Sequence, residues 1–294
     1  MELLRAQSPG FPRRGVPPAP STRVLLRTLC AAGFLVPDPR AEQNCWVFVI
    51  PKSTEKVSMI ADLRYLNGFS PQPLPGFRLP TVRDVFGFIS KFAPGALWGG
   101  TLDLSNFFWS LRLPESARGV FSVQGGWYDS LPFGWNMSPV IAQRTLVTLL
   151  DGFLGVVDER VGSDGVLGVF VYLDDVMVLS PSKRVCGEIL QLLSKGLQSA
   201  GLLVSPKSVL LPSQRLKWLG KVFDLVEGSV ANTERMIQKS LAVVLMSCLG
   251  SLSVRSLGRD LGVLPQAFTA LSLGWVLVFG LYHRGYVVYW LTWW

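Results

Sequence analysis

Histidine is almost missing from this chain: His283 is the only one in 294 residues. That excludes His-rich zinc sites and any mechanism that needs two imidazoles. Cysteine is nearly as scarce. Cys30, Cys45, Cys186 and Cys248 form no CxxC pair and no disulfide framework, and they fit buried thiols in a reducing compartment. Long apolar runs are short of a bilayer's thickness: Ala270 to Tyr282 is mostly apolar, but His283-Arg284 interrupts it, so no membrane partner is expected. No signal peptide is expected either, because Pro9, Pro12 and Arg13-Arg14 break the place where an apolar core would lie. No internal repeat is visible.

What is present is a hydrophobic fraction of 49% against 16% charged residues, ample for a sizeable core as one large domain or two to three packed subdomains. Twenty-eight Lys and Arg against twenty Asp and Glu give a net charge of +8, which suits a polyanionic partner.

Residues 1 to about 20 are rich in Pro and Arg and read as an extended arm. Ser21 to Ala32 has helical spacing, with Ser21 as N-cap and Gly33 as stop. Cys45 to Ile50 and Val57 to Ala61 read as strands around the polar turn Lys52-Ser53-Thr54-Glu55-Lys56. Thr81 to Phe92 reads as a helix and Leu97 to Leu104 as a strand. Ser138-Pro139 opens a helix expected to reach about Leu150, since Pro suits the first helical position. Pro181 to Ala200 is a further helix ended by Gly201, and Leu216 to Phe223 a strand. Helical stretches follow at roughly 233–247 and 254–270, then an aromatic tail from Tyr286 to Trp294. Helices interleaved with locally paired strands predict an α+β fold.

The richest stretch is Tyr172-Leu173-Asp174-Asp175, set between the apolar runs Val166 to Val171 and Val176 to Leu179. Two β-rich runs around a short acidic turn predict a hairpin with carboxylates at its tip. Adjacent aspartates repel, and on an apolar hairpin a hard divalent cation with oxygen ligands, Mg²⁺ or Mn²⁺, is their natural partner. Asp103, at the end of another apolar strand, completes a set of three carboxylates able to hold two metal ions. Two ions can activate a 3′-hydroxyl and stabilise a leaving pyrophosphate without any histidine.

Asp103-x₄-Phe108, Leu131-Pro132-Phe133-Gly134-Trp135-Asn136-Met137-Ser138-Pro139 and Tyr172-Leu173-Asp174-Asp175 resemble motifs A, B and C of reverse transcriptases, in the family's order. Val47-Phe48-Val49-Ile50-Pro51-Lys52 with Ile60-Ala61-Asp62-Leu63-Arg64-Tyr65-Leu66-Asn67 is similar to the fingers hairpin. Leu203-Val204-Ser205-Pro206-Lys207, then Lys217-Trp218-Leu219-Gly220, resembles motif D and the primer grip. The resemblance covers roughly residues 24 to 225.

It implies a right-hand polymerase: a flexible arm over residues 1–20, fingers and N-terminal palm over 21–98, a palm bearing the catalytic motifs over 99–224, and a thumb-like region with the tail over 225–294. It implies RNA-directed DNA synthesis with Mg²⁺ or Mn²⁺, an RNA template, a DNA primer and deoxynucleoside triphosphates, inside the cell in nucleus or cytoplasm. By the same resemblance Asp103, Asp174 and Asp175 are the catalytic metal ligands, with the Leu104 carbonyl as an additional one. Lys52 and Arg64 would meet the triphosphate, Phe108 would lie under the sugar and exclude a 2′-hydroxyl, Gly134 would let backbone approach the nascent pair, and Lys207 is the candidate general acid.

Two positions depart from the pattern. Ser58 stands where many members carry arginine, and Phe133 replaces the glutamine of retroviral enzymes, a form more like gypsy-type or tyrosine-recombinase retrotransposons. Two rival readings remain open: an inactive remnant that binds nucleic acid, and an RNA-dependent RNA polymerase, against which Phe108 speaks.

Overall fold

The computed structural model describes residues 20–41, 45–51, 57–70, 75–123, 125–155 and 167–238. The Pro/Arg-rich arm up to residue 19, the turn that carries Lys52, the helix expected at 254–270 and the aromatic tail lie outside them.

In chain order the elements are α1 (Pro20–Ala31), β1 (Leu35–Pro37), β2 (Trp46–Pro51), β3 (Val57–Asp62), α2 (Arg64–Asn67), α3 (Val82–Ile89), β4 (Trp98–Ser105), α4 (Phe107–Ser110) and α5 (Glu115–Arg118). Then come β5 (Ser122–Val123), β6 (Gly126–Tyr128), α6 (Ser138–Gly155), β7 (Gly168–Tyr172), β8 (Asp175–Ser180), α7 (Lys183–Ser199), β9 (Leu203–Val204), β10 (Val209–Ser213), β11 (Arg215–Trp218), β12 (Lys221–Asp224) and β13 (Ser229–Asn232). Among the described residues every strand pairing is antiparallel, in keeping with an α+β fold.

The central sheet runs β10-β4-β8-β7, with β9 also paired to β4. Strand β8 is buried on both faces. Val176 and Val178 point into a core with Leu102, Ile189, Leu190 and Leu193, beneath α7. Met177 and Leu179 point the other way, into a second core with Val85, Ile89, Leu97, Leu216 and Phe223. Period-two alternation sends successive side chains to opposite faces, and each fully buried aliphatic contributes about 1.5–3 kcal/mol. A Cβ on Gly99 would lie 2.5 Å from Leu179 Cδ2 and 2.6 Å from Leu216 Cδ1, so only glycine admits the β11 hairpin so close to β4.

Local signals place the helices. Thr81 caps α3 in a reciprocal box: its hydroxyl accepts from the Asp84 N–H, while Asp84 accepts from the Thr81 N–H. Ser182 caps α7 by accepting from Val185 N–H, so that helix starts at Lys183, just after the expected Pro181. Gly201, at φ 81°, follows its end.

Three expectations change. Ser21 does not cap α1, because the helix already includes Pro20. α6 continues beyond Leu150 to Gly155. The single strand expected over Leu216 to Phe223 is a hairpin, since Leu219 (φ 46°) and Gly220 (φ 73°) turn the chain between Trp218 and Lys221. Of the helix expected at 233–247, the described part is residues 234–238.

Candidate active site

Strands β4 and β8 bring the distant acids together. Asp103 and Asp175 are direct partners in the β4–β8 ladder, and Asp174 precedes Asp175 in the two-residue turn that closes the β7–β8 hairpin. The Leu104 N–H donates to the Asp174 carbonyl at 3.0 Å, which ties the end of β4 to the hairpin tip. All three acids are half-buried.

Their electrostatics follow from that placement. Burial first, then the charges of Asp174 and Asp103, pushes the Asp175 carboxyl up to about 6, while Lys207 pulls it down. Asp174 is also raised, mainly by burial, with the charge of Asp103 adding to it. Among the described residues none of the three is in an ion pair. Three neighbouring oxygen-donor side chains are of the type a hard divalent cation takes. Among the described residues no group of three or more His, Cys, Asp or Glu side chains is arranged to hold a metal ion by itself. Mg²⁺ commonly completes its shell with waters and substrate phosphates rather than with protein alone, so an open set suits it.

Backbone clamps hold the acids from below. Asp103 donates its N–H to Ser208 Oγ at 3.0 Å, and its carbonyl accepts from the Ser205 N–H at 2.7 Å. The turn from Ser205 to Ser208 carries Lys207, whose side chain is exposed. From α6, Gln143 donates Nε2–H to the Val171 carbonyl at 2.8 Å and accepts the Leu173 N–H on Oε1 at 2.7 Å.

Beyond Asp103, Asn106 adopts a left-handed conformation (φ 56°) that Asn tolerates, and turns the chain into α4. Phe107 is buried there. Phe108 is half-buried and lies against Phe133, ring centroids 4.7 Å apart at 32°. Phe133 itself is exposed. Gly134 follows at φ 101°, where a Cβ would lie 3.0 Å from the Ala61 carbonyl.

Asn67 and Asn136 lock this loop to the 62–70 segment. Asn67 donates to the Gly134 carbonyl at 2.9 Å and accepts the Asn136 N–H at 3.0 Å, and Ser70 donates to Asn136 Oδ1 at 2.6 Å. Arg64 forks onto Asp62 (2.9 and 2.6 Å) with its side chain 88% exposed. Ser58 pairs with Ile50 across β2–β3.

The structure thus gathers Asp103, Asp174, Asp175 and Lys207 at one end of the central sheet, and sets Phe108 beside Phe133-Gly134. Arg64 is engaged by Asp62, and Lys52 lies outside the described residues.

Residues 50–223, more than half of the chain, match the model of the family described as reverse transcriptase (RNA-dependent DNA polymerase). The chain belongs to that family. It is 28% identical over 153 residues to the Gag-Pol polyprotein of woolly monkey sarcoma virus, covering 48% of the chain and 8% of the relative. It is 25% identical over 236 residues to the Gag-Pol polyprotein of avian reticuloendotheliosis virus (76% and 19%). It is 27% identical over 190 residues to the retrovirus-related Pol polyprotein from transposon opus of Drosophila melanogaster (61% and 17%). The chain therefore spans less than a fifth of these relatives' length. They include retroviral and transposon proteins and do not single out gypsy-type or tyrosine-recombinase elements.

Among solved structures, the foamy viral protease-reverse transcriptase in complex with RNA/DNA hybrid aligns with a TM-score of 0.59 at 22% identity, over 83% of this chain and 30% of that one. The form in complex with double-stranded DNA gives a TM-score of 0.59 at 21% identity, over 84% and 40%. The chain therefore has the right-hand polymerase fold.

Sequence reasoning gave no role to Gln143, Ser208, Asn67 or Asn136. Gln143 had a signal: it interrupts the apolar stripe Val140, Leu146, Leu150 on one face of α6.

Proposed function

We propose that this chain is an RNA-directed DNA polymerase of a retroelement, a retrotransposon in the first instance, that extends a DNA primer along an RNA template. The observation that carries the reading is the pairing of Asp103 with Asp175 beside Asp174, within the segment that matches the family. Two similarities support the substrate classes: the matched foamy viral enzymes are solved with double-stranded DNA and with RNA/DNA hybrid.

Asp103, Asp174 and Asp175 would hold divalent ions, Mg²⁺ or Mn²⁺, with the Leu104 carbonyl as a further donor. When bound, such ions supply positive charge where the attacking hydroxyl and the leaving phosphate oxygens gather negative charge. The chain's own residues do the rest. The ladder orients the carboxylates, and burial limits competing water. Phe108, braced by Phe133, closes the space a ribose 2′-hydroxyl would enter and so selects deoxynucleotides. Gly134 leaves backbone room at the nascent pair. Lys207, whose charge lowers the Asp175 carboxyl, would give a proton to leaving pyrophosphate. Lys52 and Arg64 are the cations assigned to the triphosphate, and Arg64 must then exchange its Asp62 partner for phosphate.

The test is extension of a labelled DNA primer annealed to an RNA template, with deoxynucleotides and Mg²⁺. Template-directed products support the reading. Salt-sensitive binding of the duplex without extension under Mg²⁺ or Mn²⁺ would instead mark an inactive nucleic-acid-binding remnant, and a preference for ribonucleotides an RNA polymerase.

A further inference from the structure

We propose that Gln143 is a positioning residue of nucleotidyl transfer: its buried carboxamide fixes the Leu173-Asp174 turn, and thereby where the Asp174 and Asp175 carboxylates stand relative to Asp103. The proposal deepens the polymerase reading and rests on it.

Among the described residues β7 is an edge strand of the central sheet. Tyr172 pairs with Asp175 to close the hairpin, so the backbone groups of Val171 and Leu173 point away from β8. An edge strand leaves such groups without a ladder partner. Gln143 fills the place of the missing strand. Its Nε2–H donates to the Val171 carbonyl and its Oε1 accepts the Leu173 N–H, the spacing at which a neighbouring strand would bond.

The turn needs the help. Leu173 stands at φ 54°, a region that a branched side chain rarely occupies and that persists only where surroundings enforce it. The Gln143 bond acts on the amide of that same residue. Gln143 is in turn fixed by its place: it is 5% exposed among Val140, Leu146 and Leu150, and both ends of its amide are satisfied by the hairpin. A buried amide in an apolar stripe is retained only with such partners.

One helix thus serves both sides of the site. α6 begins at Ser138, whose hydroxyl donates to the Pro132 carbonyl and closes the loop that carries Phe133 and Gly134. Just over one turn later the same helix presents Gln143 to the acidic hairpin.

The experiment uses the full chain and the variants Gln143→Leu and Gln143→Glu, with and without Leu173→Gly. Gln143→Leu is expected to speed hydrogen exchange of the Leu173 amide and to weaken Mn²⁺ binding measured by titration. It should lower kcat of primer extension by about a hundredfold, the scale of an ångström's misplacement, with KM for deoxynucleotide little changed. Adding Leu173→Gly, which relaxes the turn's preference, should restore part of kcat. Gln143→Glu lacks the donor while ionised, so its activity relative to the parent chain should climb as pH falls and the carboxyl regains a proton.

Unchanged Leu173 exchange and Mn²⁺ affinity in Gln143→Leu would overturn the proposal, as would a kcat that merely tracks lost thermal stability. Should Gln143→Leu fail to fold, the pH response of Gln143→Glu decides: a flat ratio refutes it. If the parent chain itself never extends a primer, the polymerase reading falls, while the exchange and Mn²⁺ measurements still judge the role of Gln143.

Discussion

Asp103 and Asp175 stand opposite each other in the β4–β8 ladder, so residues far apart in sequence share one end of one sheet. Ladder register sets Asp175 opposite Asp103, and the Leu173-Asp174 turn that closes the hairpin settles the acids' final placement. The physical consequences are testable one at a time.

The first concerns pH. Asp175 must be ionised to hold a cation, and its carboxyl is pushed from 3.8 up to about 6. Primer extension at subsaturating Mg²⁺ is expected to rise as pH climbs through about 6. Folding runs in the opposite direction. Between pH 4 and 6 the folded chain holds a proton that the unfolded chain has released, so the metal-free protein loses stability as pH rises across that window. Asp175→Asn removes this slope. Melting curves should show the variant's Tm advantage growing from about pH 4 to 6 and then levelling; a constant difference would contradict the assignment.

Ser208 holds Asp103 through its backbone N–H. Ser208→Ala leaves that amide without its side-chain acceptor and is expected to destabilise the fold by about 1 kcal/mol in denaturant titrations. Extension should fall as well, because the strand end that carries the acid loosens.

Thr81 offers the contrast. It caps α3 and bonds none of the three acids, and Thr81→Ala removes the capping box at a cost of about 1 kcal/mol. Extension per folded molecule should stay as it was. Loss of activity at a temperature where the variant remains folded would link α3 to catalysis.

Phe108 is assigned the sugar gate, with its ring supported by Phe133. Phe108→Val opens the space, and incorporation of ribonucleotides relative to deoxynucleotides should increase in single-nucleotide extension assays. Unchanged discrimination would move the gate elsewhere.

Much of the site was legible in the sequence because its signals are local. The acidic turn between two apolar runs predicts the hairpin of β7 and β8, and the apolar run Leu97 to Leu104 reads as the strand that carries Asp103 near its end. The β11–β12 turn was missed because Leu219-Gly220 lies inside a run that reads as continuous strand, and the glycine within it was the only mark of a reversal. The clamps from Gln143, Ser208, Asn67 and Asn136 were missed for another reason. Each acts on backbone groups distant in sequence, such as Asn67 on Gly134, and no local pattern encodes that partner. Arg64 reads as a free cation in sequence, and only the fold shows it forked onto Asp62.

The most direct test of the central claim is Mg²⁺-dependent extension of an annealed DNA primer by the parent chain and by the variants Asp103→Asn and Asp174→Asn. The account expects template-directed product from the parent and loss of it in each variant, with all three chains folded by melting temperature. Extension that survives both substitutions in one chain would contradict it.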